Sequence, residues 1–164
     1  MYYYKENIPV AVIGAGMMGE NHVRVYRQIR GVEQVYLYDV DFQKASLLAK
    51  KYGCIPIKTL EEIVKHVKAA SIVTPTHFHA PVAKFLLEKK IHCLIEKPFA
   101  DSLSACSELI EIADKNKCIL MVGHIERFNP AIKALQQVLT EEKFKILAMH
   151  SQRMSYESAM VRDI

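Results

Sequence analysis

Short apolar runs alternate along the chain with longer segments in which apolar residues recur every three or four positions. The short runs are typical of strands buried on both faces, and the longer segments of amphipathic helices. Strands are predicted at residues 8–13, 35–38, 54–57, 69–73, 91–95 and 119–122, and helices at 17–29, 42–52, 81–88, about 102–115 and 130–139. Strands separated by helices of this length indicate parallel β-α-β units. The pattern therefore predicts an α/β fold with a doubly wound Rossmann sheet of about six strands.

Residue types at the ends of these segments support the boundaries. Gly53 follows the second predicted helix, as a C-terminal cap often does. Thr59, with Glu62 three residues later, forms a capping-box pattern that predicts a brief extra helix. Pro56 lacks a backbone N–H, so the third strand belongs at an edge or an end of the sheet.

Residues 125–164 depart from the alternation. A predicted helix is followed by one strand at 144–153 and by a polar, irregular segment. One helix and one strand cannot enclose a core, and a lone strand leaves its backbone groups unpaired. We therefore predict a complete domain over 1–124 and interpret 125–164 as the incomplete start of a second α/β domain. An unpaired strand at 144–153 also predicts self-association.

Composition narrows the classes of function. With 164 residues, 51% apolar and 24% charged, the chain fits a soluble globular protein of one domain and part of another. The net charge of +4 is spread along the sequence, so nucleic acid is not an expected partner. No apolar stretch is long enough for a membrane span, and residues 1–7 hold tyrosines and a charge pair where a signal peptide would need a continuous apolar run. The four cysteines show no C-x-x-C or metal-ligand spacing, which predicts a cytoplasmic protein without a metal site.

A glycine-rich segment directly follows the first predicted strand and opens the first helix. It reads Gly14, Ala15, Gly16, Met17, Met18 and Gly19, which matches G-x-G-x-x-G. In this position the first glycine permits a tight turn, the second admits a pyrophosphate, and the third lets helix and strand pack closely. The start of the helix offers unpaired N–H groups and a positive dipole to the phosphates.

Asp39 ends the second strand of the same β-α-β unit. A carboxylate there accepts hydrogen bonds from ribose hydroxyls and repels a 2′-phosphate, which predicts NAD in preference to NADP. In the alternative interpretation the glycines are turn residues only and Asp39 caps a helix. The combination of strand, glycines, helix and acid favours the dinucleotide site.

Polar segments follow three further strands, at the edge of the sheet where ligands of open α/β folds gather. They are Thr74-Pro75-Thr76-His77-Phe78-His79, Glu96-Lys97-Pro98 and Gly123-His124. No Cys, Asp or Glu nearby completes a metal-ligand set with the two histidines of the first segment. The sequence thus places ionisable groups where a substrate would lie over a nicotinamide.

In order along the chain, GAGMMG, TPTHFHAPVA, IEKPFA and GHIERFNPA resemble the motifs of the Gfo/Idh/MocA family of sugar and inositol dehydrogenases. The likeness covers essentially the whole chain. The last segment is similar to the branch that acts on nucleotide-linked amino sugars such as UDP-N-acetylglucosamine. The resemblance implies hydride transfer between a secondary alcohol of a sugar or nucleotide sugar and the nicotinamide of NAD.

The same resemblance implies individual roles. Lys97 faces substrate and nicotinamide and holds the developing alkoxide or relays its proton; the alternative is a surface lysine paired with Glu96. The expected cofactor contacts in these segments are Thr74, Pro75, Thr76, His79, Glu96 and Lys97, whereas His77 faces solvent. His124 and Arg127 are candidates for substrate contact, although Arg127 could equally cap local carbonyls.

The family's catalytic Asp and His, a turn apart on one helix, are expected just beyond Ile164, with the sheet that binds substrate and forms the homo-oligomer. We therefore expect the 164-residue chain to bind NAD with little turnover. The alternative is a non-catalytic NAD-binding sensor or scaffold domain. An open reading frame encoding Asp-x-x-x-His after codon 164 would favour the enzyme.

Overall fold

The computed structural model describes residues 7–141 and 147–152. Contacts between Cα atoms divide the chain into two compact units, Met1–His124 and Ile125–Ile164. The interpretation of the second unit as the start of a substrate domain stays a prediction.

The first unit is built on a six-stranded parallel sheet with the order β3-β2-β1-β4-β5-β6. The strands are β1 (Ile8–Ile13), β2 (Val32–Tyr38), β3 (Ile55–Ile57), β4 (Ala69–Ile72), β5 (His92–Ile95) and β6 (Leu120–Val122). This is the strand order of a Rossmann fold, in which the chain reverses direction across the sheet between β1 and β4. The predicted fold class is confirmed.

Helices cover both faces of the sheet. They are α1 (Met17–Tyr26), α2 (Phe42–Tyr52), α3 (Leu60–Ile63), α4 (His79–Glu88) and α5 (Leu103–Asn116), with a short 3₁₀ turn at Thr76–Phe78. Alternate residues of β1 belong to two separate hydrophobic clusters: Ala11 and Ile13 to one, Val10 and Val12 to the other. Because β1 is buried on both faces, its sequence is a continuous apolar run rather than an alternating one.

The element boundaries lie within two residues of the predicted ones, with two larger differences. Pro56 lies in β3 at the edge of the sheet, and the Thr59 hydroxyl accepts a hydrogen bond from the backbone of Glu62 at the start of α3. By contrast, α1 ends at Tyr26, because the amides of Gln28 and Ile29 bond to carbonyls three residues earlier and tighten the chain into turns. β2 begins at Val32, three residues earlier than predicted, since parallel pairing with β1 extends to that residue.

The second unit contains a 3₁₀ turn (Ile125–Phe128) and α6 (Pro130–Glu141). Residues 147–152 have no regular secondary structure, so the predicted strand is wrong there: no described strand pairs with them, and an unpaired strand has no ladder to hold it extended. The rest of that prediction, at 144–146 and 153, lies outside the described residues. Within the described ranges, no helix has the length and apolar character that a membrane crossing requires.

Candidate cofactor-binding site

The glycine-rich turn between β1 and α1 is set by close backbone approaches. Gly14 has a φ of 114°, and a Cβ on it would lie 2.9 Å from the carbonyl oxygen of Val73 at the end of β4. A Cβ on Gly19 would lie 2.0 Å from the carbonyl oxygen of Gly14. A side chain at either position would force α1 away from the sheet, so both glycines are required by the fold itself.

Gly16 is different, because a Cβ there would meet no atom within 4 Å. It is the N-cap residue of α1 and provides no side-chain cap. No acceptor among the described residues pairs with the amides of Gly16, Met17 or Met18. The turn therefore presents open space in front of unpaired N–H groups at the positive end of a helix, an arrangement suited to a pyrophosphate.

Asp39, at the end of β2, is fixed against this turn. One carboxylate oxygen accepts a hydrogen bond of 2.7 Å from the amide of Ala15, and the other accepts one of 2.8 Å from the amide of Asp41. A carboxylate oxygen has two lone pairs and can accept two hydrogen bonds. The side chain is thus held in one orientation while lone pairs remain for the hydroxyls of a ribose.

A cleft of about 460 Å³ lies at the carboxyl ends of β1, β2 and β4. Five of the predicted contact residues line it: Gly14, Gly16, Asp39, Thr74 and Pro75. Further lining residues, which the sequence analysis did not identify, are Ile13, Tyr38, Val40, Lys44, Leu60, Val73, Phe78 and Val82. Most of these are apolar, and an apolar slot beside a fixed carboxylate suits the adenine and ribose of a dinucleotide.

Two of the missed residues had a sequence signal. Val40 directly follows Asp39 and is 89% exposed, and Phe78, inside the segment after β4, is 48% exposed. Their positions in the chain, Val40 directly after Asp39 and Phe78 between His77 and His79, were that signal, and the structure places both side chains in the lining of the cleft.

The Thr74 hydroxyl oxygen is buried and has no hydrogen-bond partner in the described part of the chain. A buried polar atom without a partner costs free energy, and nearly all such atoms in folded proteins are paired. Since Thr74 also lines the cleft, a bound ligand that supplies a polar group there would satisfy it. The residues present therefore fit a dinucleotide at both its phosphate and its nucleoside parts.

His79 occupies a different position from the one expected of a cofactor contact. Its side chain is 1% exposed, and its two ring nitrogens lie 2.8 Å from the carbonyl oxygens of Pro98 and Thr74. The imidazole thus links the segment after β4 to the segment after β5. This geometry favours a positioning role for His79 over direct cofactor contact. Its neighbour His77 is exposed, and Thr76 begins the intervening 3₁₀ turn.

Glu96, at the end of β5, is buried but does not pair with the side chain of Lys97. One carboxylate oxygen accepts a hydrogen bond of 3.1 Å from Nε2 of His22 in α1, and the other accepts one of 3.1 Å from the backbone amide of Lys97. Gly123 leaves room for this carboxylate, since a Cβ at position 123 would lie 2.7 Å from it. His22 and Gly123 were missed as partners because three distant segments meet only in the folded chain.

Lys97 is exposed, and no described residue forms an ion pair with its ammonium group. The alternative of a surface lysine paired with Glu96 is therefore not what the structure shows. The peptide bond between Lys97 and Pro98 is cis. His124 is exposed directly after β6, and Arg127 is exposed in the second unit, where no described carbonyl accepts a hydrogen bond from its guanidinium group. Their substrate contacts stay predictions.

Known proteins show the same combination. Residues 8–124 match the model of an oxidoreductase family, Gfo/Idh/MocA, described by its NAD-binding Rossmann fold. UDP-N-acetylglucosamine 3-dehydrogenase from Acidithiobacillus ferrooxidans is 36% identical over 126 residues, which are 77% of this chain and 40% of that protein. Inositol 2-dehydrogenase from an Arthrobacter species is 29% identical over 153 residues, 90% of this chain and 45% of that protein.

A solved structure of the Acidithiobacillus ferrooxidans enzyme superimposes with a TM-score of 0.75 at 34% identity, over 80% of this chain and 43% of that one. The chain thus spans less than half the length of the relatives it matches. The family match, by contrast, extends over most of the chain and includes the glycine-rich turn, the cleft and Lys97. The chain belongs to the Gfo/Idh/MocA family of oxidoreductases and carries its NAD-binding Rossmann domain.

Proposed function

We propose that the chain binds NAD, in preference to NADP, as the cofactor half of a dehydrogenase that oxidises a secondary alcohol of a sugar or nucleotide sugar. The observation that carries the proposal is the pairing of Asp39 with the glycine-rich turn. Its carboxylate is fixed by the amide of Ala15 at the rim of the cleft, where it would accept hydrogen bonds from the ribose hydroxyls and repel a 2′-phosphate. The unpaired amides of Gly16 and Met17 bind the pyrophosphate.

A bound nicotinamide supplies the hydride acceptor for alcohol oxidation. The protein must then stabilise the alcohol oxygen as its proton leaves, and Lys97 is the residue proposed for this task. Its ammonium is not engaged by any described carboxylate, so it is free to donate a hydrogen bond to the developing alkoxide. Glu96 and His22 hold the backbone from which Lys97 projects.

The substrate class rests on the relatives. The chain is similar to a UDP-N-acetylglucosamine 3-dehydrogenase and to inositol 2-dehydrogenases, whose substrates carry secondary hydroxyl groups on a ring. We propose a substrate of this kind, with His124 and Arg127 contacting its polar groups. We also propose that the 164 residues alone turn over substrate slowly. The motifs of this chain match one member of the family's catalytic set, Lys97, and not the complete set.

Calorimetric titration of the purified chain with NAD⁺ and NADP⁺ tests the cofactor proposal. We expect one NAD⁺ per chain and NADP⁺ binding at least tenfold weaker, and an Asp39→Asn variant in which that difference shrinks. Equal affinity for both dinucleotides in the unaltered chain would contradict the role of Asp39. A steady-state assay with UDP-N-acetylglucosamine and NAD⁺ tests the remainder, since rapid turnover by the chain alone would refute the proposal of slow turnover.

A further inference from the structure

A hydrogen bond between His22 and Glu96 connects two parts of the candidate site. His22 lies in α1, the helix whose first amides face the proposed pyrophosphate, and Glu96 directly follows β5. Nε2 of His22 donates a hydrogen bond of 3.1 Å to one carboxylate oxygen of Glu96, and the other oxygen accepts one of 3.1 Å from the amide of Lys97. A continuous chain of contacts therefore joins the cofactor-binding helix to the backbone of Lys97.

Neither side chain of this hydrogen bond has room to turn away. The side chains of His22 and Glu96 are 14% and 9% exposed, so little water competes for the contact. A Cβ on Gly123 would lie 2.7 Å from one carboxylate oxygen and 3.1 Å from the other. On its other side, the His22 ring makes an edge-to-face contact with Tyr26, whose hydroxyl forms a hydrogen bond of 2.6 Å with that of Ser71. A movement of the imidazole is therefore passed to the carboxylate.

The start of α1 is one helical turn from His22. Met18 lies four residues before His22, so the two residues share one face of the helix. The amide of Met18 is among those that have no acceptor in the described part of the chain and face the proposed pyrophosphate. Rigid helices and hydrogen-bond networks are the elements that carry coupling between sites in proteins. A ligand that binds these amides therefore acts on the turn that carries the imidazole.

We propose that His22 is a positioning residue that couples cofactor binding to Lys97. Binding of a pyrophosphate at the start of α1 shifts His22, and the Glu96 carboxylate passes that shift to the Lys97 amide. The backbone that carries the lysine thus takes its final position when the cofactor is in place. The inference rests on the proposed function, because it requires the dinucleotide site and the role of Lys97.

ADP is a suitable probe, since it contains the adenosine and the pyrophosphate of NAD but neither the nicotinamide nor the ribose attached to it. A response of Lys97 to ADP cannot come from contact with the nicotinamide half of a dinucleotide. Amide ¹H–¹⁵N spectra of the 164-residue chain are recorded during titration with ADP, and the signals of Gly16 and Lys97 are followed. The shift of a hydrogen-bonded amide proton depends on the length of its hydrogen bond, so the Lys97 signal reports on the contact with Glu96.

Four variants separate this coupling from general packing. His22→Leu removes the donor, whereas His22→Gln retains a side-chain N–H donor. Glu96→Gln keeps the shape but replaces one acceptor oxygen by an NH₂ group, so one of the two hydrogen bonds is lost. Arg24→Leu is the matched control, because Arg24 is exposed on the same helix two residues after His22. Circular dichroism melts verify that each variant is folded, and Glu96→Gln provides the test if His22→Leu does not fold.

We expect ADP to shift the amide signals of Gly16 and Lys97 in the unaltered chain, in His22→Gln and in Arg24→Leu. In His22→Leu and Glu96→Gln, the Gly16 signal should still move and the response of Lys97 should be lost.

The inference is wrong, and the proposed NAD site stands, if Gly16 responds in the unaltered chain and Lys97 does not. It is also wrong if the full response of Lys97 persists in folded His22→Leu or Glu96→Gln, or if it is lost in His22→Gln or Arg24→Leu. A glycine-rich turn that responds to neither ADP nor NAD⁺ refutes the NAD site itself, and this inference with it.

Discussion

Alanine at Gly16 and at Gly19 should produce opposite effects, although the two glycines lie in one motif. At Gly16 a Cβ would meet nothing within 4 Å, and the residue has a φ of −76°, which alanine adopts readily. Replacing the glycine N-cap by alanine destabilises the helix, whereas the lower backbone entropy of alanine in the unfolded chain stabilises the folded state. The two effects therefore partly cancel. We therefore expect the unfolding free energy of Gly16→Ala to stay within about 1 kcal/mol of that of the unaltered chain.

At Gly19 a Cβ would lie 2.0 Å from a backbone oxygen, and only movement of α1 relieves that contact. Forced repacking of this kind costs about 1–3 kcal/mol or more. Affinity for NAD⁺ should behave differently. If the pyrophosphate binds as proposed, the new methyl group of Gly16→Ala lies in its space, so loss of one hydrogen bond to a charged group, about 1.5–3 kcal/mol, weakens binding by roughly 10- to 100-fold.

Urea unfolding followed by circular dichroism gives the first quantity, and calorimetry with NAD⁺ gives the second. We expect Gly16→Ala to be stable and to bind NAD⁺ poorly, and Gly19→Ala to be destabilised. This expectation is refuted if Gly16→Ala binds NAD⁺ as tightly as the unaltered chain, or if it loses as much stability as Gly19→Ala.

Three further predictions concern the packing of the first unit. Gly123→Ala places a Cβ 2.7 Å from the buried Glu96 carboxylate and should cost about 1–2 kcal/mol in urea unfolding; in a Glu96→Ala background the cost should largely vanish. Burial raises the pKa of the Cys93 thiol to about 12, so the folded state retains a proton that the unfolded state loses above pH 9. This thiol alone should therefore lower stability from about pH 9 to 12 by about 1.4 kcal/mol per pH unit, and Cys93→Ala should make the alkaline fall shallower by that amount. Lys117 caps α5 with a φ of 56°, so Lys117→Gly should gain about 0.5–1 kcal/mol.

Two of these have a matched control, and the Cys93 prediction has an outcome that would contradict it. In a Glu33→Ala background, Gly123→Ala should lower the unfolding free energy as much as it does in the unaltered chain, since Glu33 lies at the far end of β2. An equal loss of stability with and without the Glu96 side chain would show that its carboxylate is not the obstacle. An unchanged alkaline slope in Cys93→Ala, compared with the unaltered chain, would contradict the assignment. Lys115→Gly, inside the last turn of α5, should lose about 1 kcal/mol, in contrast to the gain at Lys117.

The sheet was predictable from the sequence because its signals are local. A strand buried on both faces is a continuous apolar run, as in β1, and Pro56 marks an edge strand without reference to its neighbours. Helix ends were less accurate, since the turns after Tyr26 depend on how the chain reaches β2. The predicted strand at 144–153 was wrong at 147–152 because a strand requires a partner, and pairing is not encoded in the strand alone.

The candidate site also has residues that a local motif reveals and residues that come together only through tertiary packing. Gly14, Gly16 and Asp39 have fixed spacing around one strand and one helix, so the motif identified them. His22 and Gly123 lie far along the chain from Glu96, and only the packing of α1 and β6 against β5 brings them to its carboxylate. His79 looked like a cofactor contact because its motif stands at the ligand edge, and sequence position does not reveal which way an imidazole faces.

The central claim is that backbone amides at the start of α1 bind the pyrophosphate of NAD while Asp39 holds its adenosine ribose. Titration of ¹⁵N-labelled protein with NAD⁺, followed by amide NMR spectra, tests it most directly. We expect the largest changes in chemical shift at Gly16, Met17 and Met18, followed by residues around Asp39. Changes confined to α6, or an unaltered glycine-rich turn at saturating NAD⁺, would contradict the claim.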